Sequence, residues 1–296
     1  MLYKNLAGYL REKYGKRLGK ICIDGGFTCP NRDGKAGFGG CVFCSERGSG
    51  EHITGGDISE QVIKGLNSGK CNGYIAYFQN YTNTYAPIDV LKEKYDSALI
   101  DGRIKVLAVG TRPDCIDEDV ARLLSSYLSR VDVWAELGIQ TASDVTGVKI
   151  NRGYNTECFI KSVMLLHSYD IPVVAHMIIG LPGESEKEVY ETVRLFNSLP
   201  LFGVKIHSLY VVRGTVLASM YERGEFLPIS FDGYASLAAG AIARLSPDFV
   251  IHRVTGDCPS ELLVAPDWNR DKNGIINLIR DRLCEMGLRQ GSLFVK

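Results

Sequence analysis

Short, almost continuously apolar runs alternate along this chain with longer stretches of helical period. Residues 74–78, 104–109, 131–134, 173–178 and 204–209 are rich in β-branched and aromatic side chains, and a weaker run lies at 21–23. Runs of that kind predict parallel strands covered on both faces. Between them, Ile116, Val120, Leu123, Leu124, Tyr127 and Leu128 fall on one helical face, as do Phe159, Ile160, Val163, Met164 and His167. A third stripe, Val189, Val193 and Phe196, begins behind Ser185-x-x-Glu188, a capping-box pattern, and stops before Pro200.

Six strands alternating with helices predict an α/β fold with a parallel sheet, either doubly wound or curled like a barrel. From about residue 225 the pattern changes to helices near 231–245 and 271–288 with short strands between. The expected division is a basic helical segment over 1–19, a main unit over 20–224, and an extension over 225–296 packed on that unit.

Composition narrows the function classes. The 296 residues carry 34 basic and 34 acidic side chains, with 45% hydrophobic and 23% charged residues. That balance predicts a folded protein and excludes a strongly basic wrapper of nucleic acid. No apolar run approaches the ~18 residues of a membrane span, and the first residues lack a secretory pattern, so a cytoplasmic location is expected. One local asymmetry stands out: Lys4, Arg11, Lys13, Lys16, Arg17 and Lys20 face Glu12 alone. It reads either as a solvated helix or as a small patch for phosphates.

Nine cysteines, an odd number, point to metal or catalytic chemistry for a subset of them. Cys29, Cys41 and Cys44 fall within 16 residues, spaced C-x11-C-x2-C, with Gly34, Gly37, Gly39 and Gly40 between them. Three thiolates suit a [4Fe–4S] cluster with one iron left open. Structural zinc is the rival and needs a fourth ligand, for which Cys22, His52 and Cys71 are candidates. The other polar oddities also follow expected strands, where parallel α/β folds bind ligands. They are Gln79-Asn80-Tyr81-Thr82, Thr111-Arg112-Pro113-Asp114, Glu136-Leu137-Gly138-Ile139-Gln140, Gly180-Leu181-Pro182-Gly183 and Tyr210-Val211-Val212-Arg213.

With Asn151-Arg152-Gly153-Tyr154 and His176-Met177-Ile178-Ile179-Gly180-Leu181-Pro182-Gly183, these motifs carry a resemblance. Over roughly residues 20 to 265 the chain resembles the radical S-adenosylmethionine (SAM) enzymes, in the branch of the catalytic subunit of Elongator. Within that branch it looks most like short bacterial members without the acetyltransferase domain. The resemblance implies a partial (β/α)6 barrel and a [4Fe–4S] cluster on Cys29, Cys41 and Cys44. It also implies SAM as the second cofactor, with Gln79, Asn80 and Thr82 near its methionine end and Arg152 on its carboxylate. Glu136 and Gln140 would face the ribose, Gly180 would admit the backbone closely, and Leu209, Tyr210 and Val211 would flank adenine.

Three departures from the family pattern are visible. The first cysteine gap is eleven residues instead of the common three, Phe78-Gln79-Asn80 replaces a Gly-Gly-Glu pattern, and Tyr154 stands where His is usual. The substrate class implied is transfer RNA at the C5 side chain of the wobble uridine, with a flavodoxin or ferredoxin as reductant. The specific expectation is removal of carboxymethyl from a carboxymethylaminomethyl group, because the chain ends before an acetyltransferase domain would begin. Radical chemistry on a small metabolite and a zinc-stabilised binding module are the alternatives. The stretch 252–258 reads as a closing strand and turn or as a substrate contact, with Cys258 a candidate hydrogen-atom donor.

Overall fold

The computed structural model describes residues 2–48, 53, 55–69 and 71–295. In chain order the elements are α1 (Leu6–Tyr14), β1 (Gly19–Ile23), α2 (Ile58–Asn67), β2 (Tyr74–Phe78), α3 (Ile88–Ala98), β3 (Ile104–Thr111) and α4 (Glu118–Ser126). They continue with β4 (Asp132–Gln140), α5 (Asp144–Lys149), α6 (Thr156–Ser168), β5 (Val173–Ile179), α7 (Glu186–Asn197) and β6 (Gly203–Ser208). The last are β7 (Val211–Val212), α8 (Val216–Glu222), α9 (Phe231–Arg244), β8 (Val250–Arg253), β9 (Leu263–Ala265) and α10 (Lys272–Glu285). None of the described helices is long and apolar enough to cross a membrane.

Seven strands form one sheet in the order β1-β2-β3-β4-β5-β6-β8, every neighbouring pair parallel. A doubly wound sheet reverses its strand order at a switch point. Here the order never reverses, and the sheet curls into a half-barrel. The sequence predicts six strands in this unit; the seventh, β8, comes from the stretch expected to form the extension and pairs with β6. Two short strands, β7 and β9, make a separate antiparallel pair.

Alternate residues of each strand face opposite sides. One set, including Ala76, Phe78, Leu107, Val109, Ala135, Leu137, Ala175 and Met177, packs under the helices in the main core. The capping box expected at Ser185 and Glu188 opens α7, with Ser185 N donating to Glu188 Oε2 at 2.8 Å. The opposite set lines the inside of the curl and changes character along the strands. Near the strand starts it is apolar: Ile75, Val106, Ala108, Trp134 and Val174 pack with Leu10 and Leu18.

That packing corrects one expectation. Helix α1, capped by the Asn5 side chain on Gly8 N, closes the end of the barrel where the strands begin. Lys13 and Tyr14 bond Asp132 at the start of β4, and Lys16 Nζ donates to Asn72 O at 3.1 Å. The basic segment therefore lies at the opposite end from the cysteine loop, which follows β1. Its amphipathic face is occupied by the barrel, and its charges do not border the cavity described next.

Candidate active site

The cysteine loop is wound by its own backbone. Arg32 N donates to Cys29 O at 2.9 Å, Ala36 N to Pro30 O at 2.8 Å, Gly40 N to Asn31 O at 2.8 Å and Cys44 N to Cys41 O at 2.9 Å. Gly39 and Gly40 both sit at φ 77°, a left-handed conformation that favours glycine. The loop is tied to the segment after α5: Asn31 Nδ2 donates to Asn151 O at 2.6 Å, and Asn151 Nδ2 donates to Phe38 O at 3.0 Å and Gly40 O at 2.8 Å. These ties hold Cys29, Cys41 and Cys44 on one wall of a cavity of ≈ 240 Å³. Cys44 hydrogen-bonds Cys41, which draws the Cys41 thiol down and pushes its own well above the ordinary thiol range.

The residues fit an iron–sulfur cluster better than zinc. Among the described residues, no three His, Cys, Asp or Glu side chains gather as ligands of a single ion. Cys22 packs inside the barrel beside Ile75 and Tyr77, and Cys71 packs in the main core ahead of β2, at the far end of the strands. His52 lies outside the described residues. A cubane takes one thiolate per iron and spreads its ligands, as three cysteines along one wall do. Beside them, Asn31 Oδ1 and Thr82 Oγ1 are buried without hydrogen-bond partners, and Thr82 borders the cavity.

The remaining walls come from the inward residues of the strands' second halves and the loops that follow. Gln79, Thr82, Glu136, Gln140, Leu209 and Tyr210, all expected at a cofactor site, line the cavity. Four expected residues do not. Asn80 is buried with Nδ2 on Asp24 Oδ2 at 3.0 Å. Val211 is fully buried against the core under α8, and Val212 reaches the wall in its place. Gly180 adopts φ 95°, and a Cβ there would come within 3.0 Å of Ile229, so a turn and its packing require the glycine.

Arg152 is the fourth and the most instructive. It is fully buried, and its guanidinium donates to Ile139 O at 2.8 Å, Thr141 O at 2.7 Å, Tyr154 O at 2.8 Å and Asp144 Oδ1 at 2.7 Å. Four of its five N–H donors are committed within the protein and the side chain does not line the cavity, so this structure does not place it on a cofactor carboxylate. Arg152 instead knots the end of β4 to the turn after α5. Arg152→Ala is expected to cost about 3–5 kcal/mol, because Asp144 and three carbonyls lose their partner. Arg152→Lys is expected to restore little of it, since an ammonium lacks the planar fork; urea unfolding of both variants is the check.

Below the rim lies a polar floor that joins Glu136 and His176, both within the motifs above, to Lys205, His207 and Tyr77, which no motif marks. Glu136 is bonded by Lys205, with His176 Nε2 3.1 Å from the same carboxylate oxygen. Lys205 Nζ also lies 3.3 Å from Tyr77 Oη. Burial acts to raise the Glu136 carboxyl, but Lys205 and His176 outweigh it and hold it well below the ordinary range. Burial pushes the Lys205 ammonium down to about 7, and burial together with the Lys205 charge pushes His176 down to about 4. His207 and Arg253 complete the floor. A signal for it exists in the sequence, where Lys205 and His207 alternate with Val204 and Ile206 on opposite faces of one strand.

A pH dependence follows from His176. Unfolded, it binds a proton below pH 6.5, whereas folded it stays neutral until about pH 4. Stability from the neutral ring is therefore complete above 6.5 and lost as the pH falls toward 4. The loss is expected to be on the order of 3 kcal/mol. Urea midpoints compared across that window, with His176→Phe as the variant that flattens the slope, test it.

Comparison with known proteins agrees with this geometry. A family model described as the radical SAM superfamily matches residues 29–196, and one described as the Radical_SAM C-terminal domain matches 202–285. The protein YtqA of Bacillus subtilis (strain 168) is 37% identical over 301 residues, covering 99% of this chain and 92% of its own. A tRNA uridine(34) acetyltransferase of Dehalococcoides mccartyi is 28% identical over 180 residues, 60% of this chain and 38% of that protein. The structure of the archaeal Methanocaldococcus infernus Elp3 superposes with a TM-score of 0.68 at 19% identity, covering 92% of this chain and 64% of that one. Fold, cysteine wall and family models meet in one placement: the chain belongs to the radical SAM superfamily, whose members work with a [4Fe–4S] cluster and S-adenosylmethionine.

Proposed function

We propose that this protein is a radical SAM enzyme of transfer RNA that removes the carboxymethyl unit from a carboxymethylaminomethyl group at C5 of the wobble uridine. The observation that carries the reading is the similarity over 180 residues to a tRNA uridine(34) acetyltransferase, joined to a cavity that opens at the strand ends. The mouth supplies what an unpaired RNA loop needs. Phe38 is 77% exposed on the cysteine loop, and Lys35, Arg47 and Lys149 are exposed beside it or on α5. Aromatic faces take unstacked bases and local cations take phosphates.

When bound and reduced, the cluster with SAM supplies a 5′-deoxyadenosyl radical. Cys29, Cys41 and Cys44 hold the cluster in this reading. Gln79 and Thr82 stand for the methionine end of SAM, Glu136 and Gln140 for the ribose, and Leu209 and Tyr210 for adenine. Gln140 is aimed by Tyr154, whose Oη lies 3.2 Å from Gln140 Oε1 and also donates to Gly138 O. Lys205 keeps Glu136 ionised, so the carboxylate accepts hydrogen bonds and holds no proton of its own. The enzyme works in the cytoplasm with a flavodoxin or ferredoxin as electron donor.

The test is nucleoside analysis of tRNA from a deletion strain, where carboxymethylaminomethyluridine is expected to accumulate. Unchanged tRNA, together with activity of the purified protein on peptides or free metabolites, overturns the proposal.

A further inference from the structure

We infer that the floor of the cavity is a receptor for a carboxylate at the end of the substrate's side chain, formed by Arg253 and Lys205 with His207 beside them. The choice of that side chain rests on the tRNA reading above; the anion site itself rests on the floor.

Lys205 and Arg253 are register partners on β6 and β8, and both border the cavity. Lys205 Nζ lies 4.4 Å and Lys20 Nζ 4.8 Å from the centroid of the same Tyr77 ring. Among the described residues, two carboxylates line the cavity, Glu136 and Asp257. Glu136 is taken by Lys205, and Asp257 is bonded by Lys272 while Arg253 reaches it only at 3.6 Å. At the floor itself Lys205 and Arg253 therefore stand together against the single bonded carboxylate of Glu136. A distance of 3.6 Å is too long for a hydrogen bond, so the planar fork of Arg253 faces the cavity without a bonded acceptor in Asp257. His207 Nε2 is likewise buried without a hydrogen-bond partner. A guanidinium fork matches a carboxylate through two parallel bonds.

Depth selects among anions. Lys205 lies three residues before the end of β6, roughly 10 Å below the rim at the usual rise per residue. Phosphates strung along an RNA backbone stay at the mouth. A slim arm ending in a single carboxylate reaches the floor, past Ile178 and Leu209 on the walls. The carboxylate of SAM is the other source of the same chemistry, and the experiment separates the two.

Equilibrium binding to reconstituted, unreduced protein is compared for two anticodon stem–loops, identical except for carboxymethylaminomethyl or aminomethyl on the wobble uridine. The carboxylate-bearing loop is expected to bind about 10- to 100-fold more tightly. Arg253→Gln is expected to lose most of that preference, and Arg253→Lys to keep part of it. Equal binding of the two loops by the natural protein, or a preference that survives in Arg253→Gln, overturns the inference. A fall in SAM affinity of Arg253→Gln as large as the lost preference also overturns it, because the floor then serves the cofactor. If neither loop binds, the RNA reading fails, and the free nucleosides 5-carboxymethylaminomethyluridine and 5-aminomethyluridine decide the anion site. A preference abolished by Arg253→Gln then upholds the site, and no preference overturns it.

Discussion

Replacement of Cys29, Cys41 or Cys44 by alanine is expected to abolish reductive cleavage of SAM, with 5′-deoxyadenosine falling at least about 1,000-fold under anaerobic reconstitution. The three thiols share one cavity wall and one loop. Cys22 sits inside the barrel and Cys71 at its far end, so neither can complete the set. The fold is expected to survive, because the loop stays anchored through Asn31 and Asn151 to the segment after α5. Circular dichroism unchanged, with loss of the visible and electron-paramagnetic signals of the cluster, is the expected signature. Retention of full cleavage by any one variant contradicts the assignment of that cysteine.

Lys205→Met is expected to cost about 3–5 kcal/mol of stability, as much as Arg152→Ala. Lys205 and Glu136 are both almost wholly buried, and removing the ammonium leaves the Glu136 carboxylate beside His176 without its charged partner. The Coulombic attraction that held the Glu136 carboxyl low disappears, and burial then acts to raise it. The double variant Glu136→Gln with Lys205→Met removes both charges and is expected to regain most of the loss. Urea unfolding of the two singles and the double closes the cycle. A cost below about 1 kcal/mol for Lys205→Met is the value of an exposed pair and contradicts a buried one.

Much of the architecture was readable because parallel strands covered on both faces leave continuous apolar runs, and those at 74–78 and 173–178 coincide with β2 and β5 to within a residue. Helices α2 and α3 went unread although Ile58, Val62 and Leu66, and Leu91, Tyr95 and Ala98, lie at helical spacing. Strand β8 has only four residues, and nothing local says that it will find the edge of β6. Cysteine spacing singled out the three thiols that the fold sets along one cavity wall, since spacing and residue type are both local. Arg152 misled because its partners are carbonyls of Ile139, Thr141 and Tyr154, which side-chain patterns do not record. Lys205 carried no mark for another reason, and Arg253 stood out only as one residue of the stretch 252–258. A charge on alternate strand positions looks the same whether that face meets solvent or the inside of a curl, and only the curled sheet tells them apart.

Helix α1 bears on how such a protein would fail. With Leu10 and Leu18 set against Trp134 and Val174, it acts as a stopper at the end of the curl away from the cysteine loop. In the radical reading proposed above, that stopper shields the interior from this side. Damage to the stopper would then show first as wasted cofactor and self-inflicted oxidation, while the grip on substrate at the mouth stayed whole.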